Sequence, residues 1–250
     1  MGAEISVAVE ALRNARKISV LTGAGISKES GIPTFREAQT GLWSKYDPEK
    51  LATPEGFLND PSLVWTWYDY RRKLVTEAQP NAGHKALAEL QHIKPTTVVT
   101  QNVDGLHARA GSNDIIELHG SILKFFCFDA RHPADNVKPG LSEPPKCTIC
   151  GAMVRPAVVW FGEALPPNAM AQASDCMQSS EVVLVVGTSG LVHPAAGLPY
   201  LAKRAGATVI EINPDTTPIT DIADIFLGGR SGSILPALLA GLSGISSDTH

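Results

Sequence analysis

A chain of 250 residues and 26.5 kDa can bury a substantial core, so one large domain, or one with a smaller insertion, needs no staple. Its net charge of -4 and isoelectric point near 6.0 offer a phosphate backbone no global attraction, which argues against dedicated nucleic-acid binding. Four cysteines are too few for a disulfide scaffold, and no run reaches the ~20 apolar residues of a spanning helix, so the chain reads as a soluble cytoplasmic protein without a membrane partner.

The N-terminal segment MGAEISVAVEALRNARK has the spacing of an amphipathic helix over 3–16 and lacks the unbroken apolar run of a signal peptide. Short runs rich in β-branched residues then recur: KISVLT (17–22), TTVVT (96–100), IIEL (115–118), VVLVVG (182–187), TVIEI (208–212) and DIFL (224–227). Helical patterns fill 62–78, 83–92, 168–178, 195–205 and 232–241. Strands apolar on both faces that alternate with helices predict an α/β fold, a doubly wound, Rossmann-like parallel sheet. Two stretches, 36–91 and 121–158, interrupt the alternation; the second is proline-rich and carries three cysteines. They predict a smaller lobe of two modules beside a main domain made of 1–35, 92–120 and 159–250.

Ligands of such sheets bind beyond the carboxyl ends of the strands. The first strand leaves through Gly23-Ala24-Gly25, where glycines allow close approach of a pyrophosphate to backbone amides; the third glycine of the dinucleotide fingerprint is missing, with Lys28 at that spacing. Gln101, Asn102 and Asp104 follow the second strand, His119 the third, Gly187-Thr188-Ser189 the fourth and Asn213 the fifth. Each alone fits a turn or cap. Five sets on one sheet edge fit a binding site better.

In order and spacing, GAGIS, GIPTFR, TQNVDGLH, LHGS, VVWFGE, GTS and INP resemble the motifs of the sirtuin family, NAD-dependent protein lysine deacylases, over about residues 11–241. The resemblance implies a Rossmann-like domain with a small lobe made of a helical module (36–91) and a zinc-ribbon-like module (121–158), NAD in the cleft, and acylated lysine proteins or peptides as partners. The acyl oxygen would attack C1′ of the nicotinamide ribose, nicotinamide would leave, and His119 would act as general base on a ribose hydroxyl, ending in free lysine and 2′-O-acyl-ADP-ribose. By the same matching, Gly23, Ala24, Gly25 and Ser27 would line the phosphates, and Phe35 and Arg36 would belong to the loop closing over the cofactor. Gln101, Asn102 and Asp104 would hold the ribose and nicotinamide, Asn102 and Asp104 with a catalytic part. Gly187, Thr188, Ser189 and Asn213 would take the phosphate and adenosine end. Val159, Phe161, Gly162 and Glu163 would belong to a strand pairing with the substrate backbone, flanked by 190–192. His84 and His107 are expected to be structural. A protein ADP-ribosyltransferase or an NAD-sensing binding protein would share parts of this pattern.

The metal pattern departs from the family. Cys147 and Cys150 form one C-x-x-C pair, but Cys127 faces Ala130 where its partner belongs. His132 or Asp129 could complete a tetrahedral zinc site, three cysteines could bind weakly, or the module could have lost its metal.

WTWYDYRRK (65–73) concentrates aromatic and cationic residues. Helical spacing puts Val64, Trp67, Tyr68, Arg71, Leu74 and Val75 on one face, with Arg72 and Lys73 expected in solvent and Asp69 able to pair with Lys73. Tyr68 and Arg71 resemble the Tyr-x-x-Arg signature of the sirtuin class that removes succinyl, malonyl and related acidic acyl groups. A guanidinium and a phenol suit a terminal carboxylate.

Overall fold

The computed structural model describes residues 2–34, 45–135 and 137–244; Phe35 and Arg36 lie outside them. Six parallel strands, β1 (Ile18–Thr22), β2 (Thr96–Thr100), β3 (Ile115–Glu117), β6 (Val182–Val186), β7 (Thr208–Asn213) and β8 (Ile225–Gly228), form one sheet in the order β3-β2-β1-β6-β7-β8. The expected α/β sheet is therefore present. Thr22 aligns with Thr100 on one side and with Val186 on the other. Because the chain winds outward in both directions from the β1/β6 pair, the crevice beyond their carboxyl ends is the switch point where such sheets bind ligands.

Period-two alternation splits the strand residues between two cores. Val20, Val98, Leu184 and Ile210 pack against α1 (Gly2–Asn14), α5 (Ala82–Ile93) and α9 (Ser231–Leu242). Leu21, Val99, Val183, Val185 and Val209 pack on the other face against α7 (Pro167–Ser179) and α8 (Leu198–Arg204). Ala86, Leu87 and Leu90 bury the apolar face of α5 against the main sheet. Among the described residues, no helix is long and apolar enough to cross a membrane.

The second lobe carries α2 (Pro48–Leu51), α3 (Pro54–Asn59), α4 (Pro61–Glu77) and an antiparallel pair, β4 (Gly120–Cys127) and β5 (Val154–Val158). Asp60 caps α4 by accepting the Leu63 amide, with Pro61 in the first turn. The helix buries Val64, Trp67, Tyr68 and Val75 against Ile122, Val158 and Trp160. Its neighbouring face is not solvated as expected. Trp65 packs with Cys127, Cys147 and Val154, and the Arg72 guanidinium lies 4.9 Å from the Phe125 ring centre while pairing with Asp69. Lys73 reaches Glu77 instead of Asp69, at 4.0 Å.

Candidate functional site

The turn after β1 lies against the turn after β6. The Gly23 amide donates to the Val186 carbonyl at 3.0 Å and the Gly25 amide to the Gly187 carbonyl at 2.7 Å. A Cβ on Gly25 would fall 2.6 Å from the Gly187 oxygen, and one on Gly23 2.8 Å from the Thr188 Cα. These glycines serve close loop packing, and their amides are used within the protein rather than open to a phosphate. Gly187 itself has φ +60.

Polar residues fill the floor of this crevice. Gln101 Nε2 donates to Thr188 Oγ1 at 3.0 Å, and Asn213 Nδ2 donates to the Thr188 carbonyl at 2.8 Å. Ser189 stays exposed. Ser27 Oγ donates to Asp104 Oδ2 at 2.8 Å, while Asn102 Nδ2 donates to Ser27 Oγ at 3.2 Å and to the Gly23 carbonyl at 3.1 Å. Burial pushes the Asp104 carboxyl up, opposed by the donors Leu106 N and Ser27 Oγ and by Arg109. Four segments, those at the ends of β1, β2, β6 and β7, thus bring Gly23, Gly25, Ser27, Gln101, Asn102, Asp104, Thr188 and Asn213 together through hydrogen bonds.

Two histidines lie beneath it. Asn81 caps α5 through the amides of Gly83 and His84, and its Nδ2 reaches the Ile26 carbonyl at 2.7 Å, which fixes His84 under the glycine turn. His84 and His107 have ring centres 4.9 Å apart, and His107 Nε2 lies 3.0 Å from Thr22 Oγ1. Desolvation lowers His84 to about 4; desolvation and the neighbouring His84 lower His107 to about 3. Both rings stay neutral near neutral pH. Both fill the structural role expected of them, and their pairing goes beyond it; the Asn-x-Gly-His cap of α5 is the local signal for that pairing.

His119 sits where β3 turns into β4. Its Nδ1–H donates to the Gln101 carbonyl at 2.8 Å, which leaves Nε2 as the basic nitrogen. Burial lowers its pKa, partly offset by that hydrogen bond. The His119 carbonyl accepts the Val159 amide at 2.9 Å, so the segment 159–163 begins beside this histidine. That segment is a turn; the strand ends at Val158. Phe161 and Gly162 are exposed, Gly162 at φ +85. Glu163, expected to meet substrate, is held in the protein: Arg155 donates to its two oxygens at 2.7 and 2.9 Å and the Trp160 amide at 2.8 Å. Arg155 is 1 % exposed and stacks its guanidinium carbon 3.2 Å from the centre of the Trp160 ring. The sequence reading missed both Arg155 and Trp160.

Trp160 joins this turn to α4. Its Nε1 donates to the Tyr68 hydroxyl at 2.9 Å. Burial raises the Tyr68 phenol, opposed chiefly by Arg71, so it remains protonated. The Arg71 guanidinium lies 4.8 Å from the Trp67 ring centre and 5.6 Å from that of Tyr68.

Against this geometry, the comparisons decide the family. The sequence model of the Sir2 family matches residues 23–194. The chain belongs to the Sir2 family. An Aquifex aeolicus protein named NAD-dependent protein deacylase is 55% identical over 210 residues, covering 83% of this chain and 87% of that one. A solved Sir2 homolog–NAD complex superposes with a TM-score of 0.91 at 44% identity, covering 95% of this chain and 93% of that one. A Sir2 structure bound to acetylated peptide has a TM-score of 0.85 at 29% identity, covering 97% and 99%. This Sir2 chain is an NAD-binding enzyme of the deacylase family, as the resemblance implied.

Its small lobe brings Cys127, His132, Cys147 and Cys150 together, with all four ligand atoms within 4.8 Å of one another. His132 Nδ1 lies 3.6 Å from Cys127 Sγ and 3.8 Å from Cys147 Sγ, and Cys150 Sγ lies 3.6 Å from Cys127 Sγ. Bond lengths of about 2.3 Å to sulfur and 2.0–2.1 Å to nitrogen give a tetrahedral zinc site edges of roughly 3.8 Å and 3.5 Å. The cluster fits zinc. His132 fills the place left by Ala130 because Arg131, at φ +54, turns the chain back toward Cys127. The amides of Cys150 and Ile149 hold the Cys147 thiol down at about 6, which favours the thiolate a metal binds. Zinc bound there would supply cross-linking of β4 to the 147–150 turn.

Proposed function

We propose that this Sir2-family enzyme removes acyl groups from protein lysines at the expense of NAD, with preference for acidic groups such as succinyl and malonyl and with acetyl as a second substrate. NAD supplies an electrophilic C1′ once nicotinamide departs. Gly23, Ala24, Gly25 and Ser27 with Gly187, Thr188, Ser189 and Asn213 form the cradle for it, and the family resemblance adds Phe35 and Arg36 to the cofactor contacts. The amides of Gly23 and Gly25 are already used, so in this reading the two glycines shape the cradle. Gln101, Asn102 and Asp104 orient the ribose and nicotinamide. His119, with Nδ1–H committed to Gln101, takes a ribose proton at Nε2. Val159, Phe161 and Gly162 face the peptide, and Glu163 acts by holding their turn.

The observation that carries the acyl preference is one chain of contacts. Arg71 lies over Tyr68, Tyr68 is bonded to Trp160, and the turn containing Trp160 is bonded through Val159 to the backbone of His119. A guanidinium and a protonated phenol are thereby tied to the turn that begins at the backbone of His119. A free carboxylate would engage both, whereas an acetyl methyl would engage neither. The test compares kcat/KM on succinyl-lysine and acetyl-lysine peptides in wild type and Arg71→Met. The variant should lose about 2–4 kcal/mol of transition-state binding for the succinyl peptide alone. Full desuccinylase activity in Arg71→Met would refute the pocket.

A further inference from the structure

Resting on the acidic-acyl reading, the geometry points to Trp160 as a positioning residue that sets Tyr68 as a hydrogen-bond donor to the acyl carboxylate. A phenol has one hydrogen to give and two lone pairs to fill. One lone pair of Tyr68 is taken by Trp160 Nε1 at 2.9 Å, at a position where Tyr68 is 3 % exposed and Trp160 1 %. Among the described residues, the Tyr68 hydroxyl hydrogen has no acceptor, and the nearby Arg71 guanidinium can only donate. An acyl chain ending in a carboxylate brings the missing acceptor. A phenol that already accepts one hydrogen bond also donates more strongly.

Trp160 is unusually well fixed for this task. Arg155 covers its ring at 3.2 Å, the Trp160 amide donates to Glu163 Oε2 at 2.8 Å, and Glu163 returns its own amide to the Trp160 carbonyl at 3.0 Å. Arg155 in turn donates to the Val158 carbonyl at 2.8 Å and is bidentate to Glu163. The indole is thereby clamped by its face and by its backbone, and its one N–H is aimed at one oxygen. Indole position and phenol direction are set before substrate arrives.

Trp160→Phe keeps a ring under Arg155 and deletes the N–H. The experiment measures the ratio of kcat/KM on succinyl-lysine and acetyl-lysine peptides in wild type, Trp160→Phe, Tyr68→Phe and the double variant. Loss of one oriented hydrogen bond should lower the succinyl-to-acetyl ratio by about fivefold in Trp160→Phe. Removing the phenol hydroxyl first should abolish that effect, so the double variant should match Tyr68→Phe. A wild-type ratio that does not favour succinyl removes the acidic-acyl reading and this inference with it. A wild-type preference that survives in Trp160→Phe, or an equal further loss in the Tyr68→Phe background, overturns this inference alone. Should Trp160→Phe not fold, the indole N–H resonance of wild type that Tyr68→Phe displaces is followed in peptide titrations. It should move with succinyl peptide more than with acetyl peptide, and equal movement overturns the inference.

Discussion

His119 donates its Nδ1–H to the carbonyl of Gln101 at 2.8 Å, a residue 18 positions earlier that directly follows the neighbouring strand β2. The bond selects the tautomer with a basic Nε2, and burial holds the ring's pKa below the ordinary 6.5. A base works only when deprotonated, so in the role proposed for His119 activity is present above the pKa and lost as pH falls through it. The acid limb of kcat/KM should therefore lie below pH 6.5, and His119→Ala should lower kcat by about 10²–10⁴ while leaving NAD binding measurable by calorimetry. An acid limb above 6.5 would contradict this environment for the base.

His84 and His107 make the fold itself sensitive to acid. Their folded-state values of about 4 and about 3 lie below the unfolded 6.5, so between these values the unfolded chain binds more protons. Stability should be whole above pH 6.5 and fall steadily as pH drops toward 4 and then 3. Each pH unit below 6.5 is worth about 1.4 kcal/mol per site, so between pH 6.5 and pH 5 the loss is on the order of a few kcal/mol. Urea melts at pH 7 and pH 5 measure it, and His84→Gln should flatten the dependence. A melt unchanged between the two pH values would rule out neutral buried rings.

Removal of one metal ligand should separate metal binding from folding of the main sheet. His132→Ala should leave three thiolates, reduce zinc content of the purified protein below one equivalent and lower its resistance to a chelator. A cobalt-substituted wild type should show the visible bands of a tetrahedral thiolate site, changed in His132→Ala and restored by Ala130→Cys in that background. Stoichiometric zinc that persists in Cys147→Ala would dismiss the cluster as the site.

The parallel sheet was legible because both its faces are buried, so β1, β2, β6 and β7 read as short runs rich in β-branched residues with no alternating polar face. The pair β4 and β5 was not, since Lys124 interrupts the first strand and Pro156 stands inside the second. Two-stranded edges tolerate a proline that a central strand would not, and Pro156 pairs next to the register shift. On α4 the helical face carrying Tyr68 was visible from spacing, but the burial of Arg72 depends on Phe125, which lies across a sheet whose existence was not foreseen. The fourth metal ligand stayed open for a local reason: no residue type announces that an arginine will adopt φ +54. The polar set at the strand ends was readable as a set. Its internal wiring, with Glu163 spent on Arg155 and the Gly23 and Gly25 amides on β6, was not.

That wiring gives a last expectation. Gly187 has φ +60, and a Cβ placed there would lie 2.4 Å from the Ile26 amide nitrogen and 2.8 Å from the Gly25 carbonyl carbon. Gly31 has φ +81 with nothing within 4 Å of an added Cβ. Alanine at Gly31 should therefore cost only the left-handed strain, about 1 kcal/mol. Alanine at Gly187 adds backbone clash to that strain, so it should cost about 3 kcal/mol or more and force the two turns apart. Since those turns form the crevice assigned to NAD, Gly187→Ala should also raise the KM for NAD, whereas Gly31→Ala should not. Denaturant melts and NAD titrations of both variants measure this pair of effects. Equal costs at the two positions would show that the β1 and β6 turns are not locked together, and the crevice would then have to be shaped by other residues.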